Sequence, residues 1–179
     1  MAVRARLEGL TGGTGWALSA MSLFVNTALF LNTHTNRIDG KGRVSFPAPF
    51  RTAIDVRKSQ GVVLFKSLSD PAIEGMTVER LYQMASALES LDTFAPARAY
   101  FETAIFGAAQ ALVYDSEGRC SLPKSLLEQV GITGEVAFLG RGATFQIWEP
   151  QALARRALEA AEAIRTGAVP FPILPAGVL

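Results

Sequence analysis

The sequence predicts an α+β protein with a mainly β core, built as two similar half-units with helices packed on them. Three observations predict it. A nine-residue pattern is written twice, as Asp39-Gly40-Lys41-Gly42-Arg43-Val44-Ser45-Phe46-Pro47 and as Asp115-Ser116-Glu117-Gly118-Arg119-Cys120-Ser121-Leu122-Pro123. Aspartate, glycine, arginine, serine and proline recur at one constant offset (115 − 39 = 76), and the register extends to Phe30 and Phe106 and to Phe50 and Leu126. Such self-similarity marks an internal duplication. Around both copies, short apolar or alternating runs are bounded by turn residues, as strands are. Between and after the copies, apolar residues recur at helical spacing.

In the first half, Ala28 to Phe30 and Thr35 to Ile38 read as strand segments leading into Asp39-Gly40-Lys41-Gly42, a turn signal. Aspartate can bond the backbone two residues on, and Gly42 can take the positive φ that a Cβ resists. Arg43-Val44-Ser45-Phe46 then alternates as a half-buried strand does, and Pro47 ends it. A short helix with proline in its first turn follows over Pro49–Ile54, then a buried strand, Val62–Phe65. The second half repeats the scheme: a strand over Leu112–Tyr114, the turn, Cys120–Leu122, a helix near Lys124–Val130, and a strand over Gly134–Leu139. Phe145–Trp148 adds one more strand.

Between the copies, Asp70-Pro71 is a candidate helix start and Thr77 a second one. Leu81, Met84, Ala85, Leu88 and Leu91 form the apolar face of that helix, and Pro96 separates it from a second helical segment, Ala97–Phe106. Pro150 opens a last helix over Gln151–Arg165, with Leu153, Ala157, Leu158, Ala161 and Ile164 as its expected inner stripe. Pro170, Pro172 and Pro175 then mark an extended tail. At the other end, Arg4 and Arg6 precede an apolar run, Trp16–Phe24, that loosely imitates an export signal. Gly12, Gly13 and Gly15 and then Asn26 interrupt it, so it is read as a poorly ordered extension, with Met21 as an alternative start. The expected organisation is an extension over 1–27, a first unit over 28–75, connecting helices over 76–105, a second unit over 106–150, and a helix with its proline-rich tail over 151–179.

Composition narrows the function. The 179 residues carry a formal charge of +1, so an anion-binding surface must be local rather than global. A single cysteine, Cys120, excludes an internal disulfide and a cysteine-based zinc site, and suits a reducing compartment. The single histidine, His34, leaves no second imidazole for a proton relay; it reads as a surface strand residue, and Cys120 as a small core residue. These features weigh against an enzyme, and no metal, cofactor or small-molecule substrate is expected. No apolar run reaches the length of a membrane span, so none is expected.

The repeated turn carries the chemistry. An arginine just after a tight glycine turn stands at a hairpin tip, where its planar fork can bind phosphate or the guanine edge in paired hydrogen bonds. Arg43 and Arg119, with Lys41, would form a cationic edge. The first copy is locally basic, with Arg37, Lys41, Arg43 and Arg51 against Asp39 (4 − 1 = +3), whereas Arg119 and Lys124 balance Asp115 and Glu117 in the second. Asp39 and Asp115 could either face a ligand or brace the turns by bonding their arginines.

The two motif copies, followed by Gly131-Ile132 and by Ile147-Trp148, resemble the MraZ family over roughly residues 28–165. The resemblance implies two AbrB-like (SpoVT-AbrB) swapped-hairpin units joined in one pseudo-symmetric β-barrel. It implies a ring-like homo-oligomer that binds double-stranded DNA at repeated promoter elements of the division and cell-wall gene cluster, in the cytoplasm and at the nucleoid. By motif position Asp39, Lys41, Arg43, Asp115 and Arg119 would face DNA, with Arg37 beside them. Leu127 stands where the first copy has Arg51, and Glu117 adds a negative charge to the second turn, so Arg43 is expected to matter more than Arg119. An AbrB-fold antitoxin binding a toxin and its own promoter is the alternative, and a purely structural oligomer a third reading.

Overall fold

The computed structural model describes residues 28–59, 61–92 and 95–170; the expected N-terminal extension and residues 171–179 of the tail lie outside them. The strands are β1 (Thr33–Arg37), β2 (Arg43–Ser45), β3 (Val62–Lys66), β4 (Ala72–Thr77), β5 (Gln110–Leu112), β6 (Arg119–Ser121), β7 (Glu135–Arg141) and β8 (Thr144–Trp148). The helices are α1 (Ala48–Val56), α2 (Val78–Glu89), α3 (Pro96–Phe101, continuing as a π-helical turn over Glu102–Phe106), α4 (Lys124–Gln129) and α5 (Pro150–Arg165). The class is α+β, as expected.

The strands form a six-stranded antiparallel sheet, β1-β7-β8-β4-β3-β5, and a separate two-stranded ribbon, β2-β6. The order reads the same from either edge once the halves are exchanged. Each half lends its first strand to the other: β1 pairs with β7, and β5 with β3. In the ribbon, Val44 pairs with its own repeat partner, Cys120 (120 − 44 = 76). In the sheet the corresponding centre is Glu74 opposite Gln146 (146 − 74 = 72). The same offset relates Thr77 and Glu149 (149 − 77 = 72), which cap α2 and α5 with their side chains.

The expected single closed barrel is not found. The ladder of the larger sheet stops at β1 and β5, its edges, and beyond its own β2–β6 pairing the ribbon makes one isolated bridge, Cys120 with Tyr114. Packing rather than a continuous ladder joins the two layers. Val44 and Cys120 beneath the ribbon share one buried cluster with Val62, Leu64, Ile73, Val136, Phe138 and Ile147 of the sheet. Phe46, Phe50 and Phe145 fill the space between, with ring centroids 5.4 Å apart for Phe50 and Phe145 and 5.6 Å for Phe46 and Phe145. Edge and tilted contacts of this kind add to plain burial. Phe30 closes the same cluster, whereas its repeat partner Phe106 packs on the outer face beside Phe65 and Met76. The duplicated register therefore does not extend that far in space.

Two helix expectations are corrected. Asp70-Pro71 does not start a helix; it turns the chain from β3 into β4, with the Ala72 N–H donating to Asp70 O at 2.8 Å. The strand that follows carries Glu74 and Gly75 in its middle, which hides its alternation from the sequence. The helix starts instead at Thr77, whose hydroxyl accepts the Arg80 N–H at 3.4 Å. On α5, only Leu153 of the expected inner stripe is buried, against Trp148, Ala72 and Ala137. Leu158 and Ile164 stay 74% and 53% exposed, because the helix packs on the sheet through its first turns only.

Gly75 pairs with Phe145 across the β4–β8 ladder, and a Cβ there would collide with the Phe145 ring. Phe145 is fully buried, so the ring has nowhere to go. Gly75→Ala is expected to destabilise the fold by about 1–3 kcal/mol, read as a lowered urea midpoint with an unchanged slope.

Candidate nucleic-acid interface

The two motif turns have nearly the same backbone. Gly42 and Gly118 take φ of 75° and 76°, the left-handed region that a side chain resists. Asp39 N–H donates to Arg43 O at 2.8 Å and Gly42 N–H to Asp39 O at 2.9 Å; Asp115 N–H to Arg119 O and Gly118 N–H to Asp115 O repeat this at 2.8 Å each. One carboxylate oxygen of each aspartate accepts two backbone N–H groups: Lys41 and Arg43 at 2.8 and 2.9 Å, Glu117 and Arg119 at 3.0 and 2.9 Å. The other oxygen takes the arginine side chain. Arg43 donates to Asp39 from Nε at 3.0 Å and from Nη2 at 2.9 Å, and Arg119 to Asp115 from Nε at 3.2 Å. The aspartates are thus the braces of their turns. Each carboxyl is held below its ordinary range, chiefly by the backbone N–H of its arginine and further by the guanidinium.

The strands after the turns set the direction of these side chains. Val44 and Cys120 point into the core. Alternation therefore turns Arg43, Ser45, Arg119 and Ser121 to the opposite, outer face of the ribbon. Ser45 lies opposite Arg119, and Arg43 opposite Ser121, so both arginines share that face. Lys41 is exposed in its turn and enters no ion pair among the described residues. Arg37 lies apart on β1, its Nε 2.8 Å from Glu135 Oε1. Arg119 is held a second time, by Glu117 at 2.7 Å.

The sequence misassigned one cation. Arg51, counted with the first turn, lies against the second: a Cβ on Gly118 would fall on its guanidinium. Gly118 is buried for this reason, while Gly42 is open. With Arg37 taken by Glu135 and Arg51 moved across, the charge contrast between the turns is smaller than the sequence implies. His34 is corrected too. It is half-buried rather than a surface residue, with its ring edge-on to Phe50 at 5.4 Å and its Nε2 without a hydrogen-bond partner. Cys120 is a core residue, as expected; burial, and secondarily the Asp115 charge, pushes its thiol up to about 12. No cluster of histidine, cysteine and carboxylate side chains able to hold a metal occurs among the described residues. No helix among them is long and apolar enough to cross a membrane.

The sequence profile of a family described as "MraZ protein, putative antitoxin-like" matches residues 105–165. A protein of Pelagibacter ubique named transcriptional regulator MraZ is 41% identical over 124 residues, covering 69% of this chain and 80% of its own. A namesake from Gluconacetobacter diazotrophicus is 41% identical over 146 residues, covering 80% and 92%. The chain belongs to the MraZ family. A further MraZ relative, from Rickettsia bellii, is 39% identical over 131 residues, covering 73% of this chain and 84% of its own. The family profile begins in the π-helical turn and takes in the whole second turn, so the copy with Glu117 is itself recognisably MraZ.

Two predictions follow from the geometry. A carboxylate with a lowered folded pKa contributes stability above its unfolded pKa and loses it as pH falls through the folded one. The amides of Lys41, Arg43, Glu117 and Arg119 should therefore keep their hydrogen-exchange protection at neutral pH and lose it below about pH 4, and Asp39→Ala should remove it at the first turn at any pH. The Cys120 thiol, buried and protonated, should resist alkylation in the native protein at pH 8 and react once the chain is unfolded.

Proposed function

We propose that the chain is an oligomeric, sequence-specific DNA-binding transcriptional regulator that acts on promoter elements of the division and cell-wall gene cluster. The observation that carries this is the outer face of the β2–β6 ribbon, where Arg43 and Arg119 lie on one diagonal, one towards each end, each aimed by an aspartate. A two-stranded ribbon fits the major groove, and arginine is suited to the guanine edge and to phosphate. The relatives' printed name supports a regulatory role. In this reading Arg43 and Lys41 carry most of the contact, Arg119 less because Glu117 competes for it, and Arg37 flanks them. Asp39 and Asp115 act through the arginines they hold.

The exchange of β1 and β5 between the halves fits two AbrB-like swapped hairpins joined in one chain. One weakly charged edge binds a single element poorly. A ring of copies set against evenly repeated elements gains affinity through effective concentration. Such a protein works in the cytoplasm, at the nucleoid. The antitoxin-like description of the family profile favours a second reading, in which a toxin partner co-purifies with the chain.

A mobility shift with the chain's own upstream DNA tests the proposal. The array of elements should bind far more tightly than one element, Arg43→Ala should weaken array binding by at least about tenfold, and affinity should fall as salt rises. Equal affinity for one element and for the array, or a flat salt dependence, would sink it.

A further inference from the structure

The connecting helices leave an apolar surface that the described residues do not cover. Leu81 and Met84 of α2 pack towards Phe65 and Met76 of the sheet, together with Ile105 and Phe106. The apolar side of α2 continues past them: Met84, Ala87, Leu88 and Leu91 face Phe101 and Ile105 across an open groove of about 240 Å³. Neither α2 nor α3 before its π-helical turn holds a fully buried residue, and Leu91 and Phe101 are 39% and 41% exposed. A contiguous apolar surface marks a docking site, unlike apolar residues scattered singly.

The lining says what kind of occupant fits. Every lining side chain is apolar, so none would orient a small molecule by a hydrogen bond. The volume also falls below the roughly 300–1,000 Å³ of small-molecule sites. Two facing helices with leucine and methionine between them instead take apolar side chains from another peptide segment.

The chain itself delivers such a segment. Arg57 Nε donates to Ala28 O, its Nη1 donates to Ala143 O at 3.1 Å, and its guanidinium lies 5.0 Å over the Phe30 ring. The chain before Ala28 therefore leaves the fold from a fixed point. There Ala28 and Leu29 face Thr77, Glu79, Arg80 and Gln83, at the start of α2, across a cleft of about 380 Å³. Gln83 and Ala87 lie on successive turns of one α2 face, so the groove starts about 6 Å along the helix from the cleft. The residues before Ala28 match this surface in order. Asn26-Thr27 is polar, as the cleft is, and Leu23-Phe24-Val25 is apolar, as the groove is. Phe24 stands four residues before Ala28 (28 − 24 = 4), and four extended residues reach about 14 Å.

We propose that Leu23-Phe24-Val25 docks in the groove between α2 and α3 of its own chain and so covers the connecting helices. The dock uses nothing before Met21, so both starts considered above keep it. It is independent of the DNA-binding reading, since the groove lies on the helices and not on the ribbon.

Disulfide trapping in the full chain tests the dock. Cys120 is the chain's single cysteine and is buried, so it stays silent. Leu23→Cys, Phe24→Cys and Val25→Cys, each combined with Leu88→Cys, are oxidised mildly. At least one pair should close a bridge within one chain, since bridging needs Cα atoms about 4.4–6.8 Å apart. The same three combined with Leu158→Cys, on the exposed side of α5, should stay reduced. Bridges that join two chains would mean that the groove receives a second copy. No bridge, or equal bridging to both helices, would mean that the segment lies elsewhere. Each of these results overturns the proposal. Should Leu88→Cys not fold, Phe24→Asp in the otherwise native chain gives a second readout. It should raise fluorescence of the apolar dye ANS several-fold with the far-UV circular dichroism unchanged, whereas Leu18→Asp, upstream of the dock, should not. Equal dye binding by the wild type and Phe24→Asp would overturn the dock as well.

Discussion

The pairing of β2 with β6 is the constraint on which everything else at the surface depends. Each strand is three residues long and each comes from a different half of the chain. A two-stranded ribbon of that size is not stable on its own in water. It persists because Val44 and Cys120 beneath it are part of the same packed cluster as the phenylalanines over the sheet. The outer face can be wholly polar because the inner face is wholly apolar. Were the two halves to separate, neither would have a ribbon, and β1 and β5 would each lose their partner strand. The duplicated halves are therefore one folding unit and not two domains on a string.

The turns at the ribbon ends show how orientation is achieved without burial. Asp39 and Asp115 are solvent-accessible, and an ion pair between exposed groups contributes little by itself. Here the carboxylate first accepts two backbone N–H groups, which fixes its own position. Only then does it hold the guanidinium. The arginine is restrained by a group that is itself restrained by the backbone, so ordering it on a ligand costs less.

Much of this was legible in the sequence. The constant offset between the copies, the glycines at positive φ, the strands flanking the turns and the Thr77 start of α2 all follow from residue type and spacing. Three features were not. β4 was hidden because its centre holds Glu74 and Gly75, and both are explained only by tertiary partners: Gln146 at 2.6 Å from Glu74, and the Phe145 ring over Gly75. The α5 stripe misled because helical periodicity shows that an apolar face exists, not that something covers it. Arg51 and His34 were misplaced because sequence distance is a poor guide in a fold that exchanges strands. Arg51 lies eight residues past Arg43 (51 − 43 = 8) and touches the turn of the other half.

The contrast between Gly118, covered by Arg51, and the open Gly42 bears on polarity along a double helix. Two identical copies meeting around a two-fold axis can only present matching ends, and such an object sits on a duplex equally well in either direction. Fusing the copies into one polypeptide lifts that restriction, because each end can then change by itself. In this chain the ends have changed: one holds an open lysine-bearing turn, the other a turn roofed by a guanidinium and shadowed by a carboxylate. Under the proposed reading, a ribbon with a head and a tail would meet DNA in one direction. A row of such subunits would then match sites that all run the same way, rather than sites arranged as mirror pairs.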